Sequence, residues 1–288
     1  MPPRFLSLDE RERFRLAGQL VEIHDYPYHP EPRTWSHSPL SRLIEQGADG
    51  YGEILRDFVE LNDAFRRIPV LPDPANEATP AWDNTWLPGF DAVALYGMVA
   101  KYKPRRYVEI GSGNSTKFVR RAITEQSPGT KLISIGPGPT TAVESICDEA
   151  IRLPLESAPL DIFSELQAGD ILFIDNSHRS FQNSDVTVIF GEVIPRLAPG
   201  VIYALHDIFL PWDYPADWDW RFYNEQYLLM AYLLGGGGGD RILFPAHYVS
   251  RAEQYVAAKG ILFLGAQNLA HLSSSFWMVR GDHQLGTQ

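Results

Sequence analysis

Three short polar clusters in this chain hold residue types that can move a proton, orient a charged ligand or bind a cation. Asp175-Asn176-Ser177-His178 closes an apolar run and sets a carboxylate three residues before an imidazole. His206-Asp207 closes a second apolar run, and Glu109-Ile110-Gly111-Ser112-Gly113-Asn114-Ser115-Thr116 spans the end of a third. An imidazole titrates near neutral pH and suits proton abstraction. Carboxylates bind divalent metals or accept hydrogen bonds from a ligand. Glycines let the backbone approach a ligand closely, and a helix that starts beside them offers free N–H groups. Taken alone, the glycine loop reads equally as a ligand cradle or as a plain turn. His206 and Asp207 read equally as ligands or as a pair bonded to each other and to loop backbone.

Regular elements are needed to bring such distant residues together. Apolar runs alternate with helical patterns from Tyr107 onward. Strands are expected over Tyr107–Ile110, Lys131–Ile135, Glu149–Leu153, Asp170–Asp175, Val201–Leu205, Arg241–Phe244 and Phe276–Arg280. Helices are expected from Asp91, as cap, to about Lys101, from the glycine loop to Gln126, over Val186–Leu197 with a kink or early end at Pro195, and over Asn224–Leu234. Gly235–Gly239 reads as a flexible stop. This alternation gives an α/β, doubly wound sheet. Ligands of such a sheet bind beyond the carboxyl ends of its strands, where all three polar clusters fall. Buried carboxylates and imidazoles are costly unless paired or bound, so their convergence favours a functional cleft over packing.

The first part of the chain has a different texture. Leu8–Val21 is helical in pattern, Tyr26–Pro39 is rich in Pro, His and Tyr, and Tyr51–Arg67 places Ile54, Phe58, Leu61 and Phe65 on one helical face. Pro69–Pro88, with Trp82 and Trp86, reads as an ordered loop. The expected division is an N-terminal helical and loop cap over 1–88 and an α/β domain over 89–288. The formal net charge of −11 argues against a nucleic-acid footprint and against docking on anionic membranes. Cys147 is the single cysteine, so no disulfide or thiolate cluster forms within one chain. With no apolar leader after Met1 and no run of ~20 apolar residues, the expected setting is cytoplasmic and the expected partner a small-molecule substrate. Oligomeric state is not legible.

A dinucleotide fingerprint would carry a third glycine where Thr116 stands. What remains, Glu-x-Gly-x-Gly after an apolar strand, resembles motif I of the class I methyltransferases that use S-adenosylmethionine (SAM). With Phe-Ile-Asp-x-Ser-His and His-Asp-Ile following in order, the resemblance covers roughly residues 80 to 280. It implies a Rossmann-like, mostly parallel seven-stranded sheet with the N-terminal helical cap outside it. It implies that Gly111, Ser112, Gly113, Asn114 and Ser115 cradle SAM, that Glu109 orients it, and that Gly136, Asp175 and Asn176 also face it. At Asp-x-x-His the chain is similar to metal-dependent O-methyltransferases acting on macrolide sugars. That likeness implies Asp175 and His178 as catalytic residues, with His178 the base, and Asp175, His206 and Asp207 as ligands of Mg or Mn. The family's acidic pair after strand five is half present here, since its first position is His206. A further departure is Gly136, where family members carry an acid that accepts the ribose hydroxyls. It supports the alternative of a non-catalytic or repurposed Rossmann-like nucleoside-binding module. Metal-dependent hydrolysis by Asp175, His178, His206 and Asp207 lacks the compact ligand spacing of a zinc enzyme.

Overall fold

The computed structural model describes residues 32–33, 38–138, 140–263 and 273–282. The helix expected over Leu8–Val21 and most of the Tyr26–Pro39 stretch lie outside the described residues.

Seven strands form one sheet: β1 (Arg106–Ile110), β2 (Lys131–Ile135), β3 (Glu149–Ile151), β4 (Ile171–Ile174), β5 (Ile202–Leu205), β6 (Arg241–Pro245) and β7 (Phe276–Val279), in spatial order β3-β2-β1-β4-β5-β7-β6. The first five run parallel, whereas β7 is antiparallel to β5 and to β6, so the sheet is mixed with mostly parallel strands. β4 and β5 are buried along their whole length, as central strands covered on both faces must be. Chain order reverses between β1 and β4, and the register that pairs Ile110 with Ile174 and Ile174 with Leu205 sets their carboxyl ends side by side.

The helices that matter here are α1 (Pro39–Glu45), α2 (Ala48–Val59), α3 (Asn62–Arg66), α4 (Gly89–Tyr102), α5 (Asn114–Gln126), α6 (beginning as Asp185–Val188) and α7 (Glu225–Leu234), besides further short helices and turns. The continuous helix expected over Tyr51–Arg67 is two helices, α2 and α3, that break at Glu60-Leu61. Ile54, Phe58 and Phe65 do share the buried face, Phe58 meeting Phe244 of β6 edge-on at 5.3 Å. The N-terminal helices therefore sit on the same core as the sheet. In α6 a π-helical turn, Ile189–Val193, leads into Ile194–Arg196, so the helix passes Pro195 instead of stopping. The wider turn accommodates a residue that has no N–H to donate. No helix among the described residues is long and apolar enough to cross a membrane.

Candidate active site

The glycine loop does two separate jobs. Gly111 has φ 80°, and a Cβ there would stand 1.7 Å from the carbonyl oxygen of Asp175, so this glycine lets the ends of β1 and β4 touch. Gly113 is different: a Cβ there would meet nothing within 4 Å. The space above it belongs to a cavity of about 720 Å³. Behind the loop, Thr116 accepts from the Gly113 N–H at 2.9 Å and donates to Glu109 Oε2 at 2.5 Å. Glu109 is fully buried with Oε1 lacking a hydrogen-bond partner, and burial pushes its carboxyl up to about 8.

The expected cofactor residues Gly111, Ser112, Gly113, Asn114, Ser115, Gly136, Asp175 and Asn176 all line this cavity, whereas Glu109 is fully buried and does not. Gly136 is bare but not crowded, its nearest neighbour to a Cβ being Gly111 at 3.9 Å. Ser134 is fully buried and bonded to the Ser112 hydroxyl, so it gives the cavity no replacement acceptor.

His178 is the centre of the polar cluster. Its backbone is left-handed, φ 58°, held by the Asn176 side chain accepting its N–H at 2.9 Å. Asp185, at the start of α6, accepts from the N–H and hydroxyl of Ser177 and so fixes the same turn. Nδ1 of the ring lies 2.8 Å from Glu225 Oε2, and Nε2 lies 3.3 Å from Asp175 Oδ1 and 3.4 Å from Asp207 Oδ2. His206 faces the same two carboxylates, its Nδ1 3.5 Å from Asp175 Oδ1 and 3.3 Å from Asp207 Oδ1. Its Nε2 faces buried Asp91 at 3.5 Å.

Desolvation alone would make both imidazoles less basic. For His178 the Asp175 and Glu225 hydrogen bonds and the Asp207 charge outweigh it, and for His206 the Asp175 and Asp207 charges do. Both rings are held well above the ordinary histidine range. Asp175 feels desolvation too, yet the two imidazoles pull its carboxyl far below the usual carboxylate range. Burial raises the carboxyl of Glu225, against the pull of His178. Among the described residues, no group of three or more His, Cys, Asp or Glu side chains is arranged to hold a metal ion. Asp175, His206 and Asp207 are paired as acids with imidazoles instead.

Two functional positions carried a different sequence expectation. Asp91 was expected as a helix cap, but Pro88 is the N-cap. Asp91 accepts from the N–H groups of Ser274 and Ser275 and the Ser275 hydroxyl, tying α4 to the approach of β7 under His206. Glu225 opens α7, where an acid would by itself do no more than favour the helix dipole. It is fully buried, and its Oε1 accepts from Asn176 Nδ2 while Oε2 holds His178. The sequence signal was slight: an acid and an amide, Glu225-Gln226, opening an otherwise apolar helix. The flap after β5 places Trp218, Arg221 and Tyr223 on the cavity wall, and Tyr223 packs on His178 with ring centroids 4.7 Å apart. From the N-terminal side, Asn84 accepts from Asn114 Nδ2 at 3.2 Å, and Asn84 to Pro88 complete the rim.

Residues 108–208 match the family described as a methyltransferase domain. This stretch, about a third of the chain, is thus similar to a methyltransferase domain. The match runs from β1 past β5, taking in the glycine loop, Asp175, His178, His206 and Asp207 but neither the flap nor Glu225. Among solved structures, the chain is similar to the O-methyltransferase TomG of Streptomyces achromogenes, involved in tomaymycin synthesis and solved with SAM. That likeness has 15% identity over 77% of this chain and 96% of TomG, with a TM-score of 0.39. It is similar to the methyltransferase PaMTH1 of Podospora anserina, bound to the demethylated product SAH, at 13% identity over 91% and 100% of the two chains, TM-score 0.41. It is also similar to MycE of the mycinamycin pathway, solved with Mg, SAH and mycinamycin VI, at 12% identity over 81% of this chain and 56% of that one, TM-score 0.40. No curated protein sequence matches it.

Proposed function

We propose that this chain is a SAM-dependent methyltransferase that moves the methyl group of SAM to an oxygen of a small-molecule acceptor, with His178 as the base. The observation that carries the reading is the His178 ring: Nδ1 is fixed to buried Glu225, and Nε2 is turned to the carboxylates at the strand edge beside the glycine loop. A carboxylate behind an imidazole fixes its tautomer and makes the far nitrogen more basic.

The residues present fit the donor. Gly113 leaves room above an extended loop, and α5 presents its first N–H groups there. SAM supplies a methyl group on a sulfonium, open to in-line attack. The protein's part is to align the acceptor and to remove its proton at or before attack. His178 Nε2 would take the acceptor's O–H proton and Glu225 would hold the resulting imidazolium, while the sulfonium C–S bond breaks as the O–C bond forms and SAH leaves.

A divalent ion is not part of this reading. Mg²⁺ prefers oxygen ligands, and Asp175 and Asp207 already face the His206 ring, whose proton occupies the place of a cation. His178→Ala tests the assignment. SAH binding by calorimetry should persist, while methyl transfer to a panel of small hydroxylated acceptors should fall about a hundredfold or more. Retained turnover would remove His178 from the chemistry, and absence of SAH binding in the unaltered protein would remove the donor site.

A further inference from the structure

We infer that Arg221 is a specificity residue that selects an acceptor carrying a carboxylate group. The inference rests on the methyltransferase reading for the cavity's purpose, but on its own observations for the ligand's charge.

Arg221 ends the 3₁₀ turn Ala216–Arg221 of the flap and lines the cavity. Its guanidinium lies over the Trp218 ring, 3.8 Å from the centroid, with Tyr223 at 5.4 Å. Aromatic faces hold a guanidinium flat while leaving its edge for a ligand. Its protein hydrogen bonding is sparse: Nη1 reaches the Tyr223 hydroxyl at 3.4 Å, and Nε is buried with no acceptor. No carboxylate pairs with it among the described residues. Nη2 makes no hydrogen bond among the described residues, and a guanidinium edge left open on a cavity wall is free to meet a ligand acceptor.

Its neighbour Arg179 shows the contrast. Arg179 also lies over Tyr223, but its Nε donates to the Arg221 carbonyl and its Nη1 to the Ser177 carbonyl. Arg179 is used up in building the wall. The acids lining the cavity, Asp175 and Asp207, are matched by the two imidazoles, so they do not cancel Arg221. Lys117 is the other cation on the cavity wall without a carboxylate partner among the described residues, and it stands on α5, on the cofactor-loop side. An anion drawn to the flap would therefore meet Arg221. A planar carboxylate matches the flat fork of a guanidinium in two parallel hydrogen bonds.

The experiment compares binding of 4-hydroxybenzoate, its methyl ester and phenyl phosphate by calorimetry, with and without SAH, in the unaltered protein, Arg221→Met and Arg221→Lys. The acid should bind about tenfold or more tighter than the ester. Arg221→Met should abolish that preference without weakening the ester, and Arg221→Lys should restore part of it. No binding of the acid, equal binding of acid and ester, or a preference that survives Arg221→Met would overturn the inference. Tighter binding of phenyl phosphate than of the acid would overturn the choice of carboxylate. SAH binding is read separately in each protein. Failure of the donor site would thus appear as lost SAH binding with the acid preference intact, whereas failure of this inference leaves SAH binding untouched.

Discussion

His178 Nδ1 and Glu225 Oε2 stand 2.8 Å apart across 47 residues of sequence, both side chains buried. The pair decides what His178 can do. Facing carboxylates hold the ring protonated well above the ordinary histidine range, so it becomes a base only as pH rises. Methyl transfer should therefore climb with pH through values above about 6.5, the unperturbed histidine value. Glu225→Gln removes one stabilising charge, so the His178 pKa falls and the rising limb of the pH–rate profile moves toward acid. The plateau rate should drop roughly tenfold or more, because the ring loses part of its basicity and its fixed orientation. A profile of kcat/KM against pH checks both, and a limb that stays in place would detach Glu225 from the base.

The two loop glycines should separate when mutated. Gly113→Val puts a side chain into open space, so the thermal midpoint should stay near that of the unaltered protein while SAM binding by calorimetry disappears. Gly111→Ala meets the Asp175 carbonyl and a left-handed φ, so it should lower stability by roughly 2 kcal/mol or more before any question of ligand arises. Unchanged SAM affinity in Gly113→Val would show that the loop is only a turn.

That distinction marks how far the sequence could be read. The alternation of apolar runs and helical periods located all seven strands, most plainly β4 and β5, which are buried on both faces and so are continuous apolar segments. The strand-end clusters were legible for the same reason: polar residues stop such runs. Asp91 and Glu225 were not, since an acid in a first helical turn looks the same whether it faces water or a buried imidazole. Arg221 was hidden in a flap whose aromatic density reads as packing. Which neighbours crowd Gly111 and which leave Gly113 open depends on the meeting of β1 and β4, a contact no local pattern encodes.

The bare Gly136 position offers a gain of function. A Cβ there makes only ordinary contacts, so Gly136→Asp should fold normally and present a carboxylate to the cavity. Two hydroxyls gaining a charged acceptor should tighten SAM binding by about 1–3 kcal/mol, read by calorimetry. Weaker binding with an intact thermal midpoint would mean that the loop serves another ligand geometry.

Glu109 should make the fold sensitive to alkali. Its carboxyl is pushed up to about 8 by burial, so the folded chain keeps a proton that the unfolded chain has lost above about 4.3. Stability therefore falls as pH rises through that window, by an amount on the order of several kcal/mol at pH 8. Glu109→Gln keeps an acceptor for Thr116 and removes the ionisation. Denaturant unfolding should show the variant and the unaltered protein alike near pH 4, with the variant more stable at pH 8. Parallel curves at both pH values would contradict the buried, protonated state.

The last expectation concerns metal and rests on one residue, His206. As built, Asp175 and Asp207 face the His206 Nδ1 at 3.5 and 3.3 Å, and the proton on that ring supplies the positive charge the acids require. Adding Mg²⁺ or a chelator should leave the methyl-transfer rate of the unaltered protein unchanged. His206→Glu replaces a nitrogen with oxygens beside two existing carboxylates, the donor type Mg²⁺ selects. It also sets a third buried acid next to Asp91, so without metal the like charges should destabilise the fold. The variant should then have a lowered thermal midpoint that Mg²⁺ raises in a saturable way, because an ion that binds only the folded state stabilises it by mass action. Saturable activation of the unaltered protein by Mg²⁺ would show that the ion displaces the imidazole protons, and would return Asp175 and Asp207 to the role of ligands.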